Sequence, residues 1–299
     1  MPAAVHKLRD MDAVLIGAIA AFAASLLYNG GLVLQAFDAR VTDAGQALRA
    51  GLLGTLIRRR RWLAGTALGA AGMPLQLIAL LFAPLALVQP MLAAGLVPML
   101  FFGWRFLDEP VGRREIAAVA MIVLGVVALV ISAPPREVEP SSGAALQIAL
   151  AILGAAALTP YVWRVSGHLV SGRMATLGAG FAFALSGFTI KLAADGLALH
   201  HWTAAAGWIF VTAIAVLTGL LSQMTALQTT PASRVAPVVF VVETAVPVAL
   251  VTTLGGEHLG STPGSGALFV IALITVTVAA AVLSSATVAT ATADPTPDT

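Results

Sequence analysis

Long apolar stretches, broken by short polar punctuation, run through most of the chain. Nine of them approach the roughly 20 mostly apolar residues that a membrane-crossing helix needs. They span 12–34, 62–82, 85–106, 115–132, 144–165, 175–192, 203–223, 235–254 and 266–283. Internal glycine and proline do not veto these spans, because membrane helices tolerate both. No segment alternates apolar and polar residues as a membrane barrel strand does. The pattern predicts an all-α polytopic membrane protein. The segment 47–57 is apolar but only eleven residues long and is interrupted by Arg49. It reads as an interfacial helix ending in the "RRRRW" anchor, or, extended back to residue 41, as a weak tenth span. From 289 to 299 the tail is small and polar and is expected to be disordered.

Composition agrees with this pattern. Of 299 residues 59% are hydrophobic and 10% charged, with a mean hydropathy of +0.95. Soluble domains carry about 25% charged residues, so the bilayer is the expected solvent and partner. The absence of cysteine excludes disulfides, thiolate metal sites and cysteine catalysis. A formal net charge of +2 gives no reason to expect nucleic acid as a partner. Lys7 and Arg9 followed by an apolar run resemble a signal peptide, but the run continues to Leu34 and reads as an uncleaved first helix.

Basic residues set the expected orientation. With nine spans and the N-terminus outside, twelve of the sixteen lysines and arginines fall on the inner side. Lys7, Arg9, Arg136 and Lys191 fall outside. This predicts a cytoplasmic C-terminus in a plasma or inner membrane. Trp62, Trp104, Trp163, Trp202 and Trp208 lie at or near span ends, as an aromatic belt would.

The chain also matches itself. "QLIALLFAPLALVQP" (76–90) and "QMTALQTTPASRVAP" (223–237) share six of fifteen positions at an offset of 147. Either two helix–proline–helix corners have converged, or the second and third spans repeat as the seventh and eighth. A shift of five spans is odd, so the two copies would face opposite ways. Inverted repeats of this kind build many secondary transporters, with the substrate site near the midplane. The halves divide as 1–140 and 141–288.

Glu243 sits near the centre of the eighth span, in "VVFVVETAVPVALV". A charge there costs about 2.5–3.5 kcal/mol on insertion scales. It could be neutral and hydrogen-bonded, paired with Lys191, or idle in a wet vestibule. The functional alternative is that it lines a transport cavity and exchanges a proton for a cation or amine, coupling transport to H+. As a metal ligand, Glu243 is the single candidate. Tyr28, Asn29, Gln76, Gln89, Gln223, Lys191 and Tyr161 are the further candidate substrate contacts. Gln76 and Gln223 form the repeat-matched pair, Gln89 precedes Pro90, and Thr159, Pro160 and Tyr161 read as a breaker in the fifth span. For each, hydrogen bonding between helices competes with ligand contact. Lys191 and Asp195, four apart on one helix, could pair with each other. No phosphate-binding loop, nucleophile–base pairing or metal-ligand spacing is found, so neither an enzyme nor a cofactor is expected.

The stretch from Trp62 to Pro140, with its Trp-led span, "FAP" followed by "LVQP", an acidic span end and "APPRE", resembles the drug/metabolite transporter superfamily, EamA-like. Its nearest likeness is the NIPA-like magnesium transporter branch. "TALQTTPASRVAPVVFVVETAVPVALVTTLGGEHL" is similar to the superfamily's repeated unit, although Thr244 stands where proline often follows the central glutamate. The resemblance implies two inverted five-helix halves, one early helix being degenerate in the nine-span branch, and a midplane cavity. It also implies transport of magnesium or a small metabolite. Magnesium prefers several oxygen ligands and sheds water reluctantly, and one carboxylate at depth fits an organic cation or amino-acid-like metabolite equally well. A non-transporting membrane scaffold or partner subunit is the competing class.

Overall fold

The structure, a computed structural model, describes residues 2–40, 54–95, 97–98, 112–134, 136, 138, 143–230, 232–254 and 266–290. Among the described residues the chain is helix and turn throughout, without strand. The helices of ten residues or more are α1 (Pro2–Arg40), α2 (Arg60–Phe82), α3 (Leu85–Ala94), α4 (Arg113–Ile131), α5 (Ala144–Val165), α6 (Gly172–Ala198), α7 (Trp202–Thr229), α8 (Ala232–Thr253) and α9 (Ala267–Thr290). Six helical segments are long and apolar enough to cross a membrane: Asp12–Leu32, Arg60–Phe82, Arg113–Ile131, Ala144–Val165, Gly172–Ala198 and Trp202–Gln228. Pro237–Thr253 and Ala267–Leu283 are shorter apolar helices.

The 41–57 segment lies outside the described residues except for its last four, where 54–56 form one helical turn. Residues 96 and 99–106 of the third expected span and 291–299 of the tail also lie outside them. Two readings change. The expected tail begins inside α9, which continues to Thr290. Pro160 does not break α5, which runs unbroken to Val165. The ring packs on Gly178 of α6, where an added Cβ would meet Pro160 Cγ at 2.5 Å.

Outward faces carry large apolar side chains, among them Leu124, Ile131, Ile152, Phe210 and Ile271, each more than 60% exposed. Such a surface fits acyl chains rather than water. The six long apolar helices make this a membrane-embedded protein. At its centre stands α6: 72% of its most apolar window is buried, against 22–28% for the other five. α1 lies along α2, α6 along α7, α4 against α9, and α8 between α6 and α9. Small residues allow the closest approach. A Cβ on Gly31 of α1 would stand 2.5 Å from the carbonyl oxygen of Gly65 on α2, and the reverse is equally true. Helix packing in lipid depends on such contacts, since acyl chains are as apolar as leucine.

The two proline corners have one geometry. α2 ends at Ala83 (φ −132, ψ 153), whose N–H donates to Ala79 O over 2.8 Å before Pro84. α7 ends at Thr230 (φ −129, ψ 134), whose N–H donates to Ala226 O over 2.8 Å before Pro231. Proline disfavours helical backbone in the residue before it, which stops both helices at equivalent positions.

Candidate functional site

A cavity of about 450 Å³ lies among α1, α2, α3, α6, α7 and α8. Most of its lining falls into two matched pairs of stripes. On α2 they are Gly65, Thr66, Gly69, Ala70, Met73 and Gln76. On α7 they are Thr212, Ala213, Val216, Leu217, Leu220 and Gln223, each 147 positions later. On α1 Tyr28, Gly31, Leu32 and Gln35 line it, and on α6 Phe183, Ser186, Gly187 and Ile190 do so, each 155 positions later. Aromatic packing repeats as well. The ring of Tyr28 lies on Gly72, where a Cβ would meet Cε1 at 2.8 Å, and the ring of Phe183 lies on Gly219, where it would also meet Cε1 at 2.8 Å. Gly72 and Gly219 are again 147 apart.

Much of the lining's polarity is already partnered. Tyr28 donates its hydroxyl to Gln76 Oε1 over 2.7 Å. Asn29 Nδ2 donates to Ser25 O over 2.8 Å and, more weakly, to Leu92 O over 3.5 Å. Gln35 Nε2 donates to Thr66 Oγ1 over 3.1 Å. Thr212 and Thr189 share a hydrogen bond of 2.8 Å. Three side chains differ. Among the described residues, Gln89, Gln223 and Glu243 line the cavity without a hydrogen-bond or ion-pair partner. Gln89 and Gln223 are buried, at 4% and 6% exposure, and Glu243 is half-buried. Gln89 has its place because Gly187 lacks a Cβ, which would fall on its Nε2. Glu243 is the one charged residue on the described lining, which holds no lysine, arginine or histidine.

Six of the residues singled out in the sequence therefore meet at this cavity: Tyr28, Asn29, Gln76, Gln89, Gln223 and Glu243. Lys191 and Tyr161 are not among its lining residues. Tyr161 donates to Thr218 O over 2.7 Å and accepts from Ser222 over 3.0 Å, joining α5 to α7. Lys191 donates to Asp195 Oδ2 over 2.6 Å, the pairing its spacing suggested, so it does not neutralise Glu243. Arg136 donates to the other Asp195 oxygen over 3.1 Å and to Leu80 O over 2.6 Å. The C-terminal ends of α2 and α6 and the segment after α4 thus meet at one end of the bundle. Leu80 is one turn, about 6 Å, beyond Gln76.

Lining groups that sequence reasoning passed over include Gln35, Thr66, Phe183, Ser186, Thr212 and Phe240. Gln35 is one residue beyond the expected end of the first span. Thr66 and Thr212 lie about three helical turns before Gln76 and Gln223 on the same helix faces, a spacing that could have reached them.

No family model, curated protein or solved structure matches the chain. Among the described residues no group of three or more His, Cys, Asp or Glu could hold a metal ion.

Proposed function

We propose that the protein is a secondary transporter that carries a small solute across a cell membrane by alternating access. One observation supports this most: an unpartnered carboxylate, Glu243, on the wall of a central cavity built from matched stripes of both halves. An unpaired acid at membrane depth is costly and characteristically functional. In this reading all nine helices cross the bilayer, with α1–α4 and α6–α9 as the two copies. Copies five crossings apart are inverted, the construction of many transporters. Pairing α1 with α6 and α2 with α7 argues against a tenth span at 41–57, since α6 and α7 are joined by a tight turn. The C-terminus is then cytoplasmic and the N-terminus outside.

The Arg136–Asp195 pair joins the two copies at one end, while the cavity extends the other way, toward Gln35 and Thr66. Parting that pair is the motion that opens the far end. The reading agrees with the superfamily resemblance in general mechanism. The test is flux through the purified protein in liposomes, with a panel of cations, amines and amino acids, with and without a pH gradient. Solute-specific flux that Glu243→Gln abolishes in a folded protein supports it. No flux for any solute, with normal folding, favours a scaffold instead.

A further inference from the structure

We infer that the cavity takes a singly charged organic ammonium ion with an apolar body, and not Mg²⁺. The inference rests on the transporter reading for its biological meaning, but the binding chemistry stands on the cavity itself.

Charge decides the valence. Glu243 is the one carboxylate on the described lining, and Lys191 and Arg136, which do not line it, both hold Asp195. A monocation beside an ionised Glu243 leaves the pocket neutral. A divalent ion would leave one positive charge uncompensated in the pocket, and an uncompensated charge costs more the less water reaches it. An anion would meet the carboxylate and find no basic side chain on the described lining.

Ligand chemistry decides against the metal. Mg²⁺ demands near-octahedral oxygen ligation and is usually held by one or two carboxylates together with retained water or phosphate. Beside Glu243 the described lining offers mainly amide and hydroxyl oxygens. Several of these already accept protein hydrogen bonds, as Gln76 does from Tyr28 and Thr66 from Gln35. Outside that set the walls are apolar.

The aromatic rings decide the class of monocation. Tyr28, Phe183 and Phe240 line the same cavity as Glu243. They come from three different helices, α1, α6 and α8. Ring faces attract a dispersed positive charge, and recognition of alkylated ammonium groups by aromatic residues is a recurrent use of that attraction. A small inorganic ion keeps its water and gains little from rings, whereas alkyl groups also gain from leaving water. The open amides of Gln89 and Gln223 can accept from any N–H the ligand retains. The volume, about 450 Å³, falls within the roughly 300–1,000 Å³ of organic-ligand pockets.

The test is binding of radiolabelled tetraethylammonium to the full-length protein purified in detergent, with MgCl₂ as competitor at constant ionic strength. Expected are saturable binding and no displacement by millimolar Mg²⁺. Glu243→Gln should weaken binding by about 30-fold or more, as truncating one partner of a charge pair does. Phe240→Leu should weaken it by about 2- to 5-fold. Monodisperse elution and retained helical circular dichroism establish that each variant is folded. If a variant fails that check, the wild-type competition alone decides. Absence of saturable tetraethylammonium binding, displacement by Mg²⁺, or full affinity in folded Glu243→Gln overturns the inference. Vesicle flux separates the two readings. Binding without flux upholds the ligand class and removes the transporter, and Mg²⁺ flux untouched by tetraethylammonium keeps the transporter and overturns the class.

Discussion

Arg136 and Asp195 are 59 residues apart and joined by a hydrogen-bonded ion pair of 3.1 Å, with side-chain exposures of 16% and 6%. The pair ties the segment after α4 to the buried central helix α6, and through Arg136 to the end of α2. Removing Arg136 leaves Asp195 with Lys191, so Arg136→Ala loosens this end without orphaning the acid. A cysteine at Ile190, on the cavity wall one residue from Lys191, reports on access. The native chain contains no cysteine, so no background labelling arises. In Arg136→Ala the rate of modification by a membrane-impermeant maleimide should rise about 5- to 30-fold, the effect of a 1–2 kcal/mol shift between two states. An unchanged rate removes the pair from any gating role. Asp195→Asn should be harsher, lowering stability by about 3–5 kcal/mol, because buried Lys191 loses its counter-charge and half-buried Arg136 loses this carboxylate.

Gly31 and Gly65 set the contact between α1 and α2. A valine at either position drives a side chain into the facing backbone, and overpacking of this kind costs about 1–3 kcal/mol. Gly31→Val and Gly65→Val should each unfold at lower temperature in detergent. Gly207→Ala, at a position with no heavy atom within 4 Å of the added Cβ, should be neutral or slightly stabilising.

Gly72 and Gly219 seat the rings of Tyr28 and Phe183. Substituting valine at either glycine should push the ring into the cavity and weaken tetraethylammonium binding about tenfold or more, as a misfitted site does. Equal losses from the two substitutions are expected of equivalent positions in a repeat. A loss confined to one of them argues that the two seats are not equivalent in use.

The two tyrosines should separate structural from binding roles. Tyr161→Phe removes hydrogen bonds between α5 and α7 and should cost about 0.6–1.7 kcal/mol of stability. It should leave ligand affinity unchanged, because Tyr161 is not part of the lining. Tyr28→Phe frees the Gln76 amide oxygen inside the cavity and should change affinity. Paired thermal-shift and binding measurements read both effects.

What the sequence determined by itself was the long apolar helices and where polar residues fall along them. Lipid demands long apolar helices, so composition and run length identified them, and a lone glutamate at the middle of such a run is conspicuous. The proline corners were equally legible, since proline acts on the residue beside it. Tertiary structure alone decided which way each side chain faces. In a soluble helix the polar stripe marks the water side. Here lipid and protein interior are alike apolar, so glycine, alanine and methionine on the α2 wall look no different from residues facing acyl chains. Polarity at depth therefore selected Tyr28, Gln89 and Glu243, which face the cavity. It selected Tyr161 and Lys191 just as readily, although their partners lie on α7 and on α6 itself. The matched stripes of α1 with α6 and α2 with α7 emerged only once the packing had fixed each helix's rotation about its own axis.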